Sequence, residues 1–348
     1  MYEFKKYEID TYMLPIWNGD CVYNETVMFV AEDRAPLLYV PDKIISVMSY
    51  DLKTEYVPDV DYYLENNMLV RTENSRMPMF TEDEYYPKNP IEGKCFGSTV
   101  EGHDYIYFSE GDVFFSHQIH VTYTHSDKWN GFLPIKTSKF KNLMNKLSNN
   151  EPVKILFYGD SITTGVCSSK AINSEPYADS WPEMVVKYLE KHFNNHKIEY
   201  VNTAVGGFTS DMGIANLQSK VIDIKPDFMF LGFGMNDGWL DPDGYKLKIK
   251  TMIDALLNER PNCEVATVAT MLPHFRVAGF YCAQEKQENA LYSLASEYGN
   301  VDVIPVTSMH KEILNKKRYY DMTGNNVNHP NDFLARVYAQ TVIKVLLG

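Results

Sequence analysis

Apolar and polar positions change rhythm about 140 residues into this chain. In the second part, short apolar runs alternate with longer stretches of helical spacing. The runs at 153–158, 198–202, 227–233, 264–270 and 302–306 predict buried strands. The stretches at 180–194, 212–222, 244–258, 283–298 and 331–346 predict helices. Asp179 or Ser180 is placed to cap the first of these, with Pro182 in its first turn, and Asp332 stands at the head of the last. Strand and helix alternating over short connections predict a doubly wound parallel sheet.

The first part reads differently. Runs at 26–30, 37–40, 44–48, 105–108 and 120–124 predict short strands rich in Tyr, Phe, Val and Ile, punctuated by Asn, Asp, Gly and Pro. That pattern predicts an all-β sandwich. Between the two, Phe140, Leu143, Met144 and Leu147 fall at i, i+3, i+4 and i+7, a short amphipathic helix ended by Ser148-Asn149-Asn150-Glu151-Pro152. The expected division is residues 1–140 for the β-sandwich domain and 141–348 for the α/β domain.

Composition narrows the partners. The chain has 348 residues, 45% of them hydrophobic, and a net charge of −13. Phosphate backbones and anionic membranes need a basic surface, so neither a nucleic acid nor a membrane is expected as a partner. Five cysteines (Cys21, Cys95, Cys167, Cys263, Cys282) are odd in number, widely spaced and without a CxxC pair. They read as free thiols rather than a disulfide or zinc framework, with Cys167 structural. The first residues lack the apolar core of a signal peptide, which places the expected location in the cytoplasm. No apolar stretch approaches the ~18 residues of a membrane span.

The chemistry starts where Ile155–Tyr158 ends abruptly in Gly159-Asp160-Ser161, with Gly165 close behind. A serine just past the carboxyl end of a buried strand sits where open α/β sheets place their ligands. Three further segments follow in order: Val201-Asn202-Thr203-Ala204-Val205-Gly206-Gly207, Leu231-Gly232-Phe233-Gly234-Met235-Asn236-Asp237, and Asn326-Val327-Asn328-His329-Pro330-Asn331. Each lies at a predicted strand end or before a predicted helix. Together these segments resemble the four-block signature of the SGNH (GDSL-type) serine hydrolases, over about residues 152–348.

The resemblance implies a three-layer α/β/α domain and a set of roles. Ser161 would be the nucleophile and His329 its base. The oxyanion donors would be the Ser161 N–H, the Gly207 N–H (with Gly206 adjacent) and the Asn236 side chain. No cofactor is implied. The family's aspartate, three residues before the histidine, is here Asn326, which could orient an imidazole but could not charge-stabilise it. The histidine would then be oriented by Asn326, by a backbone carbonyl, or by an acid elsewhere such as Asp321. Asp160 reads as an anchor for the serine loop.

Other residues receive plainer readings. His117, His120 and His125 fall on a predicted strand from Ser116 to Thr124, with His120 on the opposite face from the other two, so no metal site is expected there. Trp181 is expected to pack a helix start. Trp239, just after the Asn236 block, is placed where an aromatic ring could stack on a sugar at the rim of the site. The segment 271–281 reads as a pocket wall or a surface loop. A β-sandwich ahead of the hydrolase domain resembles bacterial carbohydrate acetyl esterases with a jelly-roll domain. The expected reaction is removal of O-acetyl groups from carbohydrate through an acyl-enzyme. The alternatives are a short-chain lipolytic esterase or lysophospholipase, and a catalytically weak sugar-binding protein.

Overall fold

The computed structural model describes residues 4–348. After a short helix, α1 (Ile9–Tyr12), the first part carries β1 (Cys21–Met28), β2 (Arg34–Pro36), β3 (Lys43–Ser49), β4 (Tyr62–Glu65) and β5 (Met68–Arg71). It continues with α2 (Glu82–Tyr85), β6 (Cys95–Gly97), β7 (Tyr105–Tyr107) and β8 (Gln118–Thr124). These strands form three antiparallel sheets, ordered β1-β8-β3, β2-β5-β4 and β6-β7. Alternation drives the pairing of the first sheet: Val27, Val47, Ile119, Val121 and Tyr123 are fully buried in the core.

The second part is a five-stranded parallel sheet built from β9 (Val153–Gly159), β10 (Ile198–Asn202), β11 (Phe228–Gly232), β12 (Glu264–Val268) and β13 (Val301–Ile304). Its order is β10-β9-β11-β12-β13. Helices α3 (Lys141–Ser148), α4 (Ser161–Thr164), α5 (Trp181–Phe193), α6 (Ser210–Ala215), α7 (Pro242–Glu259), α8 (Gln284–Ala295), α9 (Val306–Leu314) and α10 (Asp332–Leu347) follow in chain order. The inner strands β9, β11 and β12 are buried on both faces, as a covered parallel sheet requires, while the edge strand β10 exposes Glu199 and Tyr200. One core holds Phe157, Phe230, Trp181 and Tyr338; the other holds Leu156, Leu231, Met252 and Leu294.

Several expectations are corrected. Residues 37–40 are not a strand. Their amide N–H groups go to the Asn67 carbonyl, the Glu25 carboxylate, the Tyr123 hydroxyl and the Asp127 carboxylate, not to a neighbouring strand. The run at 302–306 stops at Ile304, because Pro305 breaks it and α9 begins at Val306. The helix expected at 212–222 is two pieces, α6 and a π-helical turn at Gln218–Ile222. His117 lies in a 3₁₀ turn and stacks on Phe80, not on the strand face it was assigned.

The two parts share one core, which runs from Tyr12 and Val27 through Phe157 to Leu346 without a break at residue 140. Buried polar contacts cross the same boundary. Lys317 Nζ meets Glu25 Oε1 at 2.6 Å with both side chains fully buried. Met28 N–H donates to Asp321 Oδ1 at 2.9 Å, and Asp321 also pairs with Arg318. Asp321 is thereby occupied in joining β1 to the 318–321 turn.

Candidate active site

The strand order places β9 between two neighbours that the chain reaches in opposite directions. Ligands in open α/β sheets bind at such a switch, beyond the carboxyl ends of the strands. Gly159 closes β9 opposite Gly232 of β11. A side chain on Gly159 would collide with the Gly232 carbonyl oxygen, so glycine is required for this approach. The chain then turns directly into α4. Asp160 caps it, accepting the Ile162 N–H at 3.0 Å, and Gly165 ends it at φ 86°. Ser161 is therefore the first helical residue, whose N–H has no acceptor within the helix. Trp181 at the head of α5 donates from Nε1 to the Ile162 carbonyl at 2.9 Å and pins the turn from behind.

His329 reaches the same edge from the loop before α10. Asn325 organises this loop: its Oδ1 accepts the N–H groups of Val327, Asn328 and His329 at 3.0, 3.1 and 3.0 Å. Thr323 Oγ1 donates to the His329 carbonyl at 3.0 Å, and Asn331 caps α10 by accepting from Leu334 N–H. The outcome is a 2.8 Å hydrogen bond between Ser161 Oγ and His329 Nε2. Both residues are largely sheltered, 6% and 7% exposed.

Two more loops complete the edge. A side chain on Gly206 would sit 3.9 Å from Ser161 Cβ, and Gly207 follows with φ 77°, a conformation that suits glycine. Asn236 lies in a 3₁₀ turn after β11 and donates through Nδ2 to the Phe208 carbonyl at 3.0 Å, leaving its second amide hydrogen available. Asp237 fastens the same two loops by accepting from the N–H and Oγ of Ser210. Trp239 follows at the surface, 67% exposed. Burial pushes the Asp160 carboxyl up to about 7, with the nearby Asp237 charge adding to it.

Asn326 is not at His329. It is fully buried in the left-handed region (φ 72°). Its Oδ1 accepts the Tyr85 hydroxyl at 2.6 Å and its Nδ2 donates to the Tyr107 carbonyl at 2.9 Å, so both ends face the first part of the chain. The Asn326 carbonyl faces His274 Nδ1 at 2.9 Å. His274, buried and stacked on Tyr319, is held well below the usual imidazole range, at about 3, chiefly by burial. The segment 271–281 is thus a brace for the His329 loop.

The groups that do meet His329 Nδ1 are Glu110 Oε1 at 3.2 Å, Asn325 Nδ2 at 2.9 Å and Cys167 Sγ at 3.6 Å. Sequence reasoning passed over Glu110. It lies in a Ser109-Glu110-Gly111 turn more than 200 residues upstream of His329 and carries no motif. Cys167 touches both, donating to Glu110 Oε2 at 3.1 Å. Glu110, Cys167 and His329 bring a carboxylate, a thiol and an imidazole within 4.8 Å, a donor set a divalent ion could use. Burial and the Glu110 charge push the Cys167 thiol well up, which opposes the thiolate such an ion would need.

The arrangement has the parts for acyl transfer: a hydroxyl hydrogen-bonded to an imidazole, and amide donors on adjoining loops. No curated protein matches the chain. Among solved structures, an Axe2 acetylxylan esterase mutant from Geobacillus stearothermophilus is similar at 18% identity, over 56% of this chain and 94% of that one, with a TM-score of 0.48. A two-domain esterase (CEX) active on acetylated mannans is similar at 19% identity, over 60% of this chain and 53% of that one, with a TM-score of 0.47. LAE5, an α/β hydrolase from the metagenome of Lake Arreo, Spain, gives 18%, 56%, 94% and 0.46 on the same measures. The GDSL-like Lipase/Acylhydrolase family model matches residues 157–336. That is more than half of the chain, and it spans Ser161, Gly207, Asn236 and His329: the chain belongs to the GDSL-like lipase/acylhydrolase family.

Proposed function

We propose that this protein is a serine esterase that removes O-acetyl groups from carbohydrate. The observation that carries the reading is the 2.8 Å contact between Ser161 Oγ and His329 Nε2 at the sheet's carboxyl edge. In the reaction, Ser161 Oγ attacks the ester carbonyl carbon while its proton passes to His329 Nε2. The carbonyl oxygen becomes an oxyanion among the N–H groups of Ser161 and Gly207 and the Asn236 amide. Collapse breaks the bond to the sugar oxygen, which takes the proton from Nε2. Water then attacks the acetyl-enzyme by the same route, releasing acetate and restoring Ser161.

The acetyl and sugar assignments rest on what surrounds the pair. Glu110 and Asn328 lie on the His329 side, and Gly206, Gly207 and Asn236 on the adjoining loops. A long acyl chain needs an apolar trough, whereas this polar rim suits a short acyl group on a hydroxylated substrate. The exposed Trp239 ring, three residues from Asn236, is available to stack on a sugar face.

The experiment compares wild type with Ser161→Ala on p-nitrophenyl acetate, p-nitrophenyl octanoate and acetylated oligosaccharides, and maps labelling by a serine-directed phosphonate. Acetate release by wild type, its loss in Ser161→Ala, and phosphonate on Ser161 are expected. Wild-type turnover in Ser161→Ala would refute the nucleophile. A preference for octanoate would refute the acetyl assignment in favour of a lipolytic esterase.

A further inference from the structure

We propose that Glu110, a residue of the first part of the chain, is the carboxylate that positions and charge-stabilises His329. Every other catalytic group assigned above comes from the second part. The proposal rests on Ser161 and His329 being nucleophile and base, and supplies the acid that position 326 lacks.

Proton bookkeeping at Nδ1 carries the argument. The Asn325 amide cannot rotate, because its Oδ1 already accepts three backbone N–H groups. Its Nδ2 has two hydrogens and three neighbours: Glu110 Oε1 at 3.0 Å, Asn328 Oδ1 at 2.9 Å and His329 Nδ1 at 2.9 Å. The two oxygens can only accept, so they take the two hydrogens. His329 Nδ1 therefore receives none from Asn325 and carries its own proton. Its acceptor is Glu110 Oε1 at 3.2 Å. With the proton on Nδ1, the lone pair of Nε2 faces Ser161, which is the tautomer a base requires.

The carboxylate is itself well held. Oε1 receives the Asn325 and His329 N–H groups, and Oε2 receives the Cys167 thiol at 3.1 Å. Burial opposes its ionisation, but the His329 hydrogen bond and charge, with Asn325 and Cys167, outweigh that and hold it at about 2. It is a carboxylate throughout the pH range in which an esterase works. The other candidates for orienting His329 are engaged elsewhere: Asp321 is committed to Arg318 and Met28, and the Asn326 side chain to Tyr85 and Tyr107. The Asn326 bond to the Tyr107 carbonyl docks the His329 loop onto the end of β7, three residues before Glu110. Position 326 thus helps to deliver the acid that it does not provide.

Removing a buried triad aspartate costs about 10⁴ in kcat elsewhere. The Glu110 side chain is 47% exposed, so water screens part of its charge. We expect a loss of about 10²–10³ in kcat for Glu110→Ala. Glu110→Gln supplies no charge and can turn its NH2 towards Nδ1, which favours the wrong tautomer, so a loss of the same order is expected.

The test measures p-nitrophenyl acetate hydrolysis by the full chain as wild type, Glu110→Ala, Glu110→Gln, Glu110→Asp and Ser161→Ala, with circular dichroism as a check on folding. The expected result is a kcat loss in Glu110→Ala with KM changed less than about threefold, and partial recovery in Glu110→Asp. Formate should restore part of the activity of Glu110→Ala and none of that of Ser161→Ala. Near-wild-type kcat in Glu110→Ala and Glu110→Gln, with Ser161→Ala inactive, would overturn the role of Glu110 alone. A loss that neither formate nor Glu110→Asp relieves would reduce Glu110 to a docking contact and also overturn the proposal. Full activity in Ser161→Ala would instead remove the reading on which it rests.

Discussion

Asn326→Asp restores the aspartate that the family carries three residues before its histidine, and from sequence it should be tolerated or improve the rate. The structure predicts the opposite. Asn326 is fully buried, and its two polar ends are matched to different partners, a hydroxyl donor on Oδ1 and a carbonyl acceptor on Nδ2. An aspartate keeps the first contact and turns the second into oxygen against oxygen. Losing that hydrogen bond costs about 1 kcal/mol, and leaving a buried polar group unmatched adds ~1–3 kcal/mol. A total of about 3 kcal/mol, set against an unfolding entropy of ~2.1 cal/mol/K per residue over the 348 residues, gives a Tm drop of about 4 °C. Burial raises the pKa of the new carboxyl above its unfolded value. The penalty is therefore largest at pH 8 and shrinks on acidification, when the protonated acid can donate to the Tyr107 carbonyl. The rate should fall as well, since a shift of the His329 loop by ~1 Å can cost ~10²-fold. Differential scanning calorimetry at pH 5.5 and 8, with kcat on p-nitrophenyl acetate, makes the measurement. An unchanged Tm at pH 8 together with kcat at or above wild type would refute this reading of position 326.

Asn236→Ala should lower kcat by about 10²–10³ with little change in KM, because it removes a donor to the oxyanion; equal effects on both constants would mark Asn236 as a substrate-positioning residue. Lys317→Met should cost about 3–5 kcal/mol by leaving Glu25 buried without its partner, and adding Glu25→Leu should recover much of it; denaturant melts of the single and double variants show whether the pair couples the two parts. The Asp160 carboxyl is pushed up to about 7 in the folded chain, above its value when unfolded, so the folded state binds the extra proton between about pH 4 and 7 and stability falls as pH rises through that window. Asp160→Asn, which can still cap α4, should gain Tm relative to wild type as pH is raised from 5 to 8; a constant difference across that range would count against a buried, proton-binding Asp160.

The parallel half was legible because its inner strands are buried on both faces and its main helices are long enough to show a period. Strands β9 to β12 begin and end within two residues of the apolar runs that announced them. The error at 302–306 had a readable cause. Pro305 has no N–H to give and stands as the N-cap of α9, and Val306, Met309, His310 and Ile313 already have helical spacing, all buried in that helix. The β-rich half was harder. The β4–β5 hairpin was missed because three of the four β4 residues are exposed and its turn is Asn66-Asn67, without glycine. Residues 37–40 look like a strand because they are apolar, yet side chains satisfy most of their amides. In the site, Ser161, Gly207, Asn236 and His329 stood out as candidates because each sits in a local block, and the fold brings Ser161 Oγ to 2.8 Å from His329 Nε2. Glu110 was invisible for the opposite reason: only the docking of two distant segments gives it a role.

That docking changes what the first part of the chain is for. A sugar-binding accessory would need only its own surface and a tether. Here the β-rich part shares a core with the α/β part, bonds to the His329 loop through Tyr85 and Tyr107, and presents Glu110 to Nδ1. Each of these contacts fails if the two parts separate by even a few ångströms, because hydrogen bonds do not stretch beyond ~3.5 Å. The buried Glu25–Lys317 pair and the bonds of Met28 to Asp321 and Arg318 make separation costly, since it would strip partners from charges held largely out of water. The stability of the interface and the geometry around His329 are therefore one property of this fold. A substitution in the 107–111 turn is as close to the chemistry as one beside Ser161, although the sequence places it in another domain.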